Sequence, residues 1–534
     1  MCGIICLIKY GGAMDKNVAS QCHQHLEPRG PDKQHHEWLA PNIYMGFSRL
    51  SIMDTSDNGL QPFKSDAGNY AVCNGEIYNF QELAKAYNIN MTSHCDCEVI
   101  LPLYEKVGFE AMIKNLDAEF AILLFDKASQ TIYAARDRYG VRPLFYGYNS
   151  STNIFGFASE MKALHDIMEY VEPVVPNTYI RIRLGQNDVS HDTIGYYDYA
   201  KLIAYPDVNS ESYIKDMIND LFTQAVKKRL HSDRPIGFLL SGGLDSSLIV
   251  AIATRILGPD NIVCFSIGLE TSPDVVASKV VTSYLGIIHH HIIPFDIEAG
   301  FNAIPEVIRM IESYDITTIR ASVPQYLMAK YINTYTDIRV LLSGEGSDEI
   351  HGSYRYFRDA PNAAAFHQET IRLLKELYMF DNLRTDRTMS GNGLEVRVPF
   401  LDYEYVEFIK RIDPSLLMYR QDYMEKKIIR DSFVGYLPDE ILYRSKEAFS
   451  DAVSSTEVNW FKTIQTRVAE TISDEELMNT TYEFNTPKTK DALYFRNIFS
   501  EIYPGRENVI AHYWLPKFQA DEVHDPSATV LKCY

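Results

Sequence analysis

Apolar and polar positions follow different patterns in the two halves of the chain. Between positions 118 and 160, short apolar runs such as FAILLFD, TIYAARD and IFGFASE are separated by short turns, which is typical of antiparallel strands. No period holds over 197–212, and we place a linker there. After position 212, strand-like runs alternate with helical spacing, as in a strand over 262–267, a helix over 275–285, a strand over 287–293 and a helix over 321–335. This alternation indicates a parallel sheet covered by helices. We therefore expect two domains of different construction.

One stretch, PIGFLLSGGLDSSLIV at 235–250, joins an apolar strand to a helix through a glycine turn. The glycines let the backbone approach an anion, and the first N–H groups of the helix point towards that anion. The turn lacks the lysine of a G-x-x-x-x-G-K-[ST] phosphate loop. It carries Asp245 instead, and a carboxylate suits Mg²⁺ together with phosphate oxygens. Helix capping by Ser and Asp would explain the same residues.

A second glycine-rich, acidic turn follows another apolar run. Arg339–Leu342 leads into SGEGSDE at 343–349. Ligands of open α/β sheets bind at the carboxyl ends of strands, so we expect both turns to face one crevice. Asp245 and Asp348 would then be paired carboxylates for magnesium, although Asp348 could also cap a helix. Lys446, in RSKE, is a point charge suited to a leaving pyrophosphate.

Composition and charge narrow the class of protein. The 534 residues are 46% hydrophobic and 23% charged, which is ordinary for a globular protein with two or more cores. The formal net charge of −20 argues against binding to nucleic acid or to an anionic membrane. No apolar stretch is long enough to cross a bilayer. The start lacks the basic region of a secretory signal, and eight cysteines in so long a chain fit a reducing compartment. We expect a cytoplasmic protein.

Cys2 is a candidate nucleophile. Removal of Met1 would leave its thiol on the same residue as a free α-amine. Because an α-amine has a reference pKa of about 7.7–8.0, it can act as a general base and activate a terminal nucleophile without a histidine. The alternative is a small residue that simply follows the initiator methionine.

Polar residues in the first hundred positions form a candidate receptor for an amino acid. Arg49, in the strand-like run RLSIMD, could bind a carboxylate in two contacts. In NGEIYN, the side-chain amide of Asn74 and the backbone N–H of Gly75 could stabilise an oxyanion. Glu76 and Asp96 could hold an ammonium group. Taken singly, each of these is also explained as a turn, a cap or a salt bridge.

Taken together, these motifs resemble a known family. MCGI, RGPD, RLSI, NGEIYN and DCEVI resemble a class II glutamine amidotransferase domain. SGGLDSS, TTIRAS, SGEGSDE and EVRVPFLD resemble the pyrophosphatase-loop domain of the glutamine-hydrolysing asparagine synthetases. The likeness extends from the first residue to about Lys517. It implies an α+β N-terminal-nucleophile hydrolase domain (stacked antiparallel sheets with flanking helices) over 1–205, an α/β parallel-sheet pyrophosphatase-loop domain over 206–517 and a tail over 518–534.

The resemblance also implies a reaction. Cys2 would hydrolyse glutamine, with Asn74 and Gly75 as the oxyanion hole. The second domain would join aspartate to AMP from ATP, release pyrophosphate, and let the ammonia convert the adenylate into asparagine. One alternative is a related ATP-dependent amidotransferase that acts on another carboxylate. Another is a catalytically inactive binding protein with the same fold.

Site residues follow from the resemblance, position by position. For glutamine they are Arg49, Leu50, Ser51, Ile52, Met53, Asn74, Gly75, Glu76 and Asp96. For ATP they are Leu240, Ser241, Gly243, Asp245, Ser246, Ile267, Ser343, Gly344 and Lys446. For aspartate and its adenylate they are Thr318, Arg320, Glu345 as a catalytic residue, Glu349 and Arg397. Asp245 and Asp348 would bind Mg²⁺, and the family is often dimeric, which points to a homodimer.

Overall fold

A computed structural model describes residues 1–185, 189–199, 202, 208, 210–420, 423–445, 459–519 and 524–525. The chain divides into two compact units. The N-terminal unit is Met1–Asp198 with two later segments, Ser232–Arg234 and Ser390–Glu395, and the C-terminal unit is the remainder. Half of the predicted linker over 197–212 and most of the predicted tail over 518–534 lie outside the described residues. The exact domain boundaries stay predictions.

The N-terminal unit contains two six-stranded sheets. Its strands are β1 (Gly3–Lys9), β2 (Lys33–Ala40), β3 (Ile43–Arg49), β4 (Phe63–Lys64), β5 (Tyr70–Ile77), β6 (Ala118–Asp126), β7 (Thr131–Arg136), β8 (Phe145–Asn149), β9 (Ile154–Ala158), β10 (Tyr170–Pro173), β11 (Thr178–Leu184) and β12 (Val189–Gly195). The sheet orders are β10-β8-β9-β1-β3-β2 and β12-β11-β7-β6-β5-β4. Neighbouring strands run antiparallel, which confirms the predicted antiparallel sheets.

Helices flank these stacked sheets. They are α1 (Lys16–Gln24), α2 (Phe80–Ala86), α3 (Ile100–Val107), α4 (Phe109–Asn115) and α5 (Lys162–His165). Apolar residues on the facing sides of the two sheets, such as Met45 and Leu123, form one core. Residues on the other side of the second sheet pack with α3 and α4 in another core that includes Phe120 and Met112. The predicted N-terminal-nucleophile hydrolase architecture is confirmed.

The C-terminal unit is built on a five-stranded sheet in the order β15-β14-β13-β16-β17. Its strands are β13 (Ile236–Leu239), β14 (Val263–Gly268), β15 (His289–Pro294), β16 (Val340–Leu342) and β17 (Glu395–Arg397). The pairs β13–β14, β13–β16 and β14–β15 are parallel, as the alternation of strands and helices predicted. Because β13 pairs with both β14 and β16, the turns that follow these strands open at one edge of the sheet.

Helices surround this sheet. They are α6 (Glu211–Lys228), α7 (Leu244–Leu257), α8 (Pro273–Leu285), α9 (Ile297–Ile311), α10 (Ile316–Tyr335), α11 (Ser347–His351), α12 (Ala363–Glu376), α13 (Asp381–Ser390), α14 (Tyr403–Arg411), α15 (Lys427–Ser432), α16 (Asp439–Leu442), α17 (Trp460–Thr471), α18 (Asp474–Asn479) and α19 (Lys490–Ile502). None of the helices within the described ranges combines the length and apolar character needed to span a membrane.

Two local predictions need correction. The run from Arg49 to Asp54 alternates like a strand, but β3 ends at Arg49. Asp54 has a φ of 54°, and its carboxylate accepts hydrogen bonds from the N–H and hydroxyl of Ser56, so the chain turns there. The helix predicted over 321–335 begins earlier, at Ile316. Its start is fixed by Asp315, whose side chain accepts the N–H of the third helical residue at 2.9 Å.

Candidate active sites

The N-terminal site centres on Cys2, which immediately precedes β1. Its Sγ lies 3.6 Å from the carbonyl oxygen of Leu50, and Arg29 Nε donates to its carbonyl oxygen at 2.9 Å. The Met1 amine donates to the carbonyl oxygen of Leu394 at 3.3 Å. Burial raises the pKa of the Cys2 thiol to about 11 and lowers the pKa of the Met1 amine to about 6. Burial at this position therefore favours the unprotonated form of an amine, which is the form that a general base requires.

Asn74 and Gly75 lie on β5 in the second sheet. Both polar atoms of the Asn74 side chain are buried and have no hydrogen-bond partner among the described residues. Buried polar groups without partners are rare, because each costs about 1–3 kcal/mol. A Cβ on Gly75 would lie 2.1 Å from the Glu119 carbonyl oxygen, so no other residue fits there without a shift of the backbone. An unpartnered amide donor beside a glycine N–H is the composition that an oxyanion hole requires.

Electrostatic coupling places these groups in one region. The pKa of Cys73, the residue before Asn74, is raised mainly by burial, and the charges on Asp96 and Cys2 raise it further. Asp96 Oδ2 accepts the Ile77 N–H at 2.6 Å, which fixes the carboxylate against β5. Cys2 packs against the core that contains Val72 of the same strand, so the thiol and this carboxylate both lie near β5.

The Arg49 side chain forms hydrogen bonds with backbone carbonyl oxygens, which the sequence did not predict. Its guanidinium is only 3% exposed and donates to the carbonyl oxygens of Asp54 and Ser56. These bonds close the turn that contains Leu50, Ser51, Ile52 and Met53. The Ser51 N–H also donates to the Asp32 carboxylate at 2.8 Å, which ties the RGPD motif to this turn. Arg49 thus shapes the backbone that was predicted to contact glutamine.

The C-terminal unit contains a cavity of about 270 Å³ at the carboxyl ends of β13, β14 and β16. Both glycine-rich turns line it. The lining residues that were predicted for ATP, aspartate or magnesium are Leu240, Ser241, Gly243, Asp245, Ser246, Ile267, Ser343, Gly344, Glu345, Asp348 and Glu349. Lys446 lies outside the described residues.

The serines of the first glycine-rich turn form hydrogen bonds within that turn. The Ser241 N–H lies 3.2 Å from Ser246 Oγ, and the two hydroxyls are 3.1 Å apart. Gly242 has a φ of 75°, and a Cβ there would lie 2.5 Å from the Ser278 nitrogen. Helix α7 starts at Leu244 directly after this turn. The cavity is therefore lined by serine hydroxyls and by a helix N-terminus, both of which favour an anion.

Lys426 is the most important residue that sequence reasoning missed. It lines the cavity, and its Nζ contacts both Asp245 and Asp348 at 2.7 Å. The sequence offers only the weak signal of two adjacent lysines in MEKKIIR. Its partners lie 181 and 78 residues away, so no local pattern reveals the contact.

A second set of missed residues surrounds the two glutamates. Arg384 donates to Glu345 at 2.9 Å and to Asp381 at 2.7 Å, while Tyr354 donates to Glu349. Burial raises the pKa of Glu345, and raises that of Glu349 well above its usual value. Carboxyl groups shifted in this way can exchange protons nearer to neutral pH. The only sequence signal was the i, i+3 spacing of Asp381 and Arg384.

Two residues predicted for aspartate do not line the cavity. The N–H and hydroxyl of Thr318 donate to the Asp315 carboxylate at 2.9 and 2.8 Å. The Arg320 guanidinium is buried and pairs with the carboxylates of Asp491 and Asp525. Both side chains are engaged with protein groups, so their role in holding aspartate stays a prediction.

Arg397 also lies outside the cavity lining. It is fully buried at the end of β17. Its guanidinium donates to the carbonyl oxygens of Arg229 and His231 at 3.0 and 2.5 Å. These bonds tie the last strand to the end of α6, which is a structural role that local sequence could not indicate.

Comparison with known proteins agrees with this geometry. The glutamine amidotransferase domain family matches residues 1–195, and the asparagine synthase family matches residues 217–364 and 358–522. A protein of Acanthamoeba polyphaga mimivirus, named probable glutamine-hydrolyzing asparagine synthetase, is 59% identical and covers 99% of this chain and 100% of its own. The glutamine-hydrolyzing asparagine synthetases of Gallus gallus and Homo sapiens are each 39% identical and cover 100% of this chain and 99% of their own. The chain belongs to the family of glutamine-hydrolysing asparagine synthetases.

Proposed function

We propose that this enzyme makes asparagine from aspartate, ATP and the side-chain amide nitrogen of glutamine. One observation carries the proposal: the same chain holds an N-terminal thiol near an unpartnered amide donor and a cavity framed by two glycine turns. Full-length similarity to relatives named asparagine synthetase favours aspartate over the other carboxylates considered. The presence of Cys2, Asp245 and Asp348 argues against an inactive binding protein.

Glutamine hydrolysis would take place at Cys2 once Met1 has been removed. The α-amine accepts the thiol proton, and Sγ attacks the side-chain amide carbon. The Asn74 Nδ2 and Gly75 N–H groups hold the resulting oxyanion. The C–N bond then breaks, the amine returns a proton and ammonia leaves. Water hydrolyses the thioester to glutamate and restores the thiol.

The bound glutamine needs partners for its α-carboxylate and α-ammonium groups. Glu76 and Asp96 are buried carboxylates beside the proposed oxyanion hole, and they suit the ammonium. Arg49 suits the carboxylate by charge, and it also fixes the turn after β3. The backbone of Leu50 to Met53 supplies neutral polar groups in that turn.

Synthesis would take place in the cavity of the C-terminal unit. Leu240, Ile267, Ser343 and Gly344 are proposed to hold the nucleoside, whereas Ser241, Gly243 and Ser246 hold the phosphates. An oxygen of the aspartate side-chain carboxylate attacks the α-phosphorus, and pyrophosphate leaves. Ammonia attacks the carbonyl carbon of the mixed anhydride, and AMP leaves. Glu345, whose pKa is raised by burial, is placed to exchange the proton that ammonia loses, and Lys446 stays a proposed partner of pyrophosphate.

Magnesium is part of the proposal, and the residues fit it. Asp245 and Asp348 supply the carboxylate oxygens that Mg²⁺ prefers. Among the described residues, no group of three or more His, Cys, Asp or Glu side chains could hold a metal ion, so phosphate oxygens would complete the coordination, as is usual for Mg²⁺. Bound there, the ion would neutralise phosphate charge. A homodimeric assembly and a cytoplasmic location also stay predictions.

Product analysis tests the whole reaction. The enzyme is incubated with aspartate, ATP and glutamine labelled at the amide nitrogen. We expect labelled asparagine, AMP and pyrophosphate in equal amounts. Formation of ADP and orthophosphate would overturn the adenylate mechanism. Preferential amidation of another carboxylate in competition with aspartate would overturn the substrate assignment.

A further inference from the structure

We propose that Lys426 keeps the Asp245–Asp348 pair closed to free divalent cations, so that magnesium enters only together with ATP. The inference rests on the proposed function, in which these two carboxylates receive magnesium, and adds an order of binding to it. It assigns Lys426 a positioning role that the motifs of the sequence do not indicate.

The first support is the geometry of the ammonium group. Lys426 Nζ lies 2.7 Å from Asp245 Oδ1, 2.8 Å from Asp245 Oδ2 and 2.7 Å from Asp348 Oδ1. An ammonium group has three N–H donors, so these contacts use all of them. Lys426 is only 4% exposed, which shields the pairing from solvent. The ammonium thus occupies the space between the two carboxylates.

The second support is that serine hydroxyls also form hydrogen bonds with both carboxylates. Ser347 Oγ donates to Asp245 Oδ1 at 2.8 Å, and Ser353 Oγ donates to Asp348 Oδ1 at 2.5 Å. Ser347 is itself 3.2 Å from Nδ1 of the buried His351. These bonds restrict the rotation of both carboxylates. The pair therefore keeps its shape and does not swing out to meet a metal ion in solution.

The third support is the backbone of Lys426. Its φ of 56° and ψ of 22° are left-handed, a conformation that is uncommon for residues other than glycine. Such a conformation costs of order 1–3 kcal/mol and persists where the surrounding structure over-determines it. Lys426 immediately precedes α15, whose Ile428 and Ile429 are buried. The packing of that helix thus directs the lysine into the cavity.

Charge explains why this arrangement would select the Mg²⁺–ATP complex. Mg²⁺ needs oxygen ligands at about 2.0–2.1 Å in near-octahedral geometry, and an ammonium group among the same oxygens blocks that approach and repels the ion. The triphosphate of ATP offers the ammonium new anionic partners. Lys426 can then move from carboxylate to phosphate oxygens and leave the oxygens of Asp245 and Asp348 to the metal.

Binding of Mn²⁺ to the nucleotide-free enzyme tests the inference, with free Mn²⁺ measured by electron paramagnetic resonance. In Lys426→Met the carboxylate pair loses its cation, and we expect one Mn²⁺ site per chain that is at least tenfold tighter than any site in the unchanged enzyme. Lys427→Met is the matched control, because Lys427 pairs with Asp431 and does not line the cavity. It should behave like the unchanged enzyme.

Further variants keep the outcome decisive. Lys426→Gln also removes the charge and should gain the same site if Lys426→Met does not fold, and the circular dichroism spectrum and melting temperature report whether each preparation is folded. Adding Asp245→Asn to Lys426→Met should remove the gained site. A folded, uncharged variant at position 426 that gains no Mn²⁺ site would overturn the inference. Equally tight binding by the unchanged enzyme would overturn it too.

A separate measurement distinguishes this inference from the proposed function. With the α,β-methylene analogue of ATP present, the unchanged enzyme should bind Mn²⁺ tightly, and the double variant Asp245→Asn, Asp348→Asn should bind it at least tenfold more weakly. If the double variant binds normally, the proposed magnesium ligands are wrong. If it binds weakly while the uncharged variants at Lys426 gain nothing without nucleotide, only the role of the lysine is wrong.

Discussion

The two candidate sites differ in how their buried polar side chains are partnered before a substrate binds. In the N-terminal unit, the neutral side chain of Asn74 is buried with no hydrogen-bond partner in the described part of the chain. In the cavity of the C-terminal unit, the buried cations are paired with carboxylates: Lys426 with Asp245 and Asp348, and Arg384 with Glu345. A buried neutral group without a partner costs about 1–3 kcal/mol, whereas an isolated buried charge costs far more. A site for a neutral amide can therefore keep a free donor, but a site for a polyanion must hold its charges in pairs that exchange partners.

The largest expected effect on asparagine synthesis comes from removing one carboxylate of the Asp245–Asp348 pair. In Asp245→Asn, we expect asparagine synthesis from either glutamine or ammonia to fall by about 100-fold or more, since the proposed magnesium site loses one of its two carboxylates and a bound metal ion supplies several kcal/mol of transition-state stabilisation. Pyrophosphate release with ammonia and aspartate is the measurement. Glutamine hydrolysis by the same preparation is the control and should be unchanged. Retained synthesis would contradict the assignment of this carboxylate.

Removing the thiol affects only one of the two sites. Cys2→Ala should abolish glutamine hydrolysis, because the nucleophile is lost, and leave ammonia-dependent synthesis intact. Both rates are measured on one preparation. Cys22→Ala, which changes another buried thiol in the same unit, should retain both activities. If Cys2→Ala also stopped synthesis from ammonia, the assignment of separate sites would be wrong.

Substitution of Asn74 gives a more specific test of the difference between the two sites. Asn74→Ala should lower kcat for glutamine hydrolysis by about 10²–10³-fold and change KM much less, because the donor acts on the oxyanion of the transition state. It should not lower the melting temperature, since no hydrogen bond is lost. Asn79→Ala is the control in the same motif: its side chain bonds Asn115 and Asp117, so stability should fall and kcat should not. The reverse pattern would remove Asn74 from the oxyanion hole.

The smallest effect concerns the acid stability of the N-terminal unit. Burial lowers the pKa of His23 from 6.5 to about 4, so the unfolded state binds its proton first as the pH falls. The contribution of His23 to stability is therefore complete above about pH 6.5 and is lost towards pH 4, by up to about 3 kcal/mol. His23→Gln should flatten the pH dependence of urea unfolding, followed by glutaminase activity. The exposed His25→Gln should not, and an unchanged slope in His23→Gln would contradict this origin.

The local sequence pattern was enough to predict the strands and helices, and also the residues whose hydrogen bonds stay within their own turn. The strands between 118 and 160 and the parallel sheet follow from periodicity, since each side chain meets neighbours within a few positions. The turn at 241–247 follows from glycines and serines whose bonds are internal to it. Distant partners were not accessible in this way. Arg320 and Arg397 were expected at the aspartate site, but Arg320 pairs with Asp491 and Asp525, and Arg397 bonds backbone near the end of α6.

The sequence by itself determined two domains of different construction, a terminal thiol and two glycine-rich turns, because these depend on residue type and short-range spacing. Only the tertiary structure decided which charges meet. It placed Lys426 between carboxylates that are 181 and 78 residues away along the chain, and it turned Arg49 onto the backbone of its own turn. The physical reason is that a buried charge takes whichever partner the packing of distant segments brings within hydrogen-bond distance.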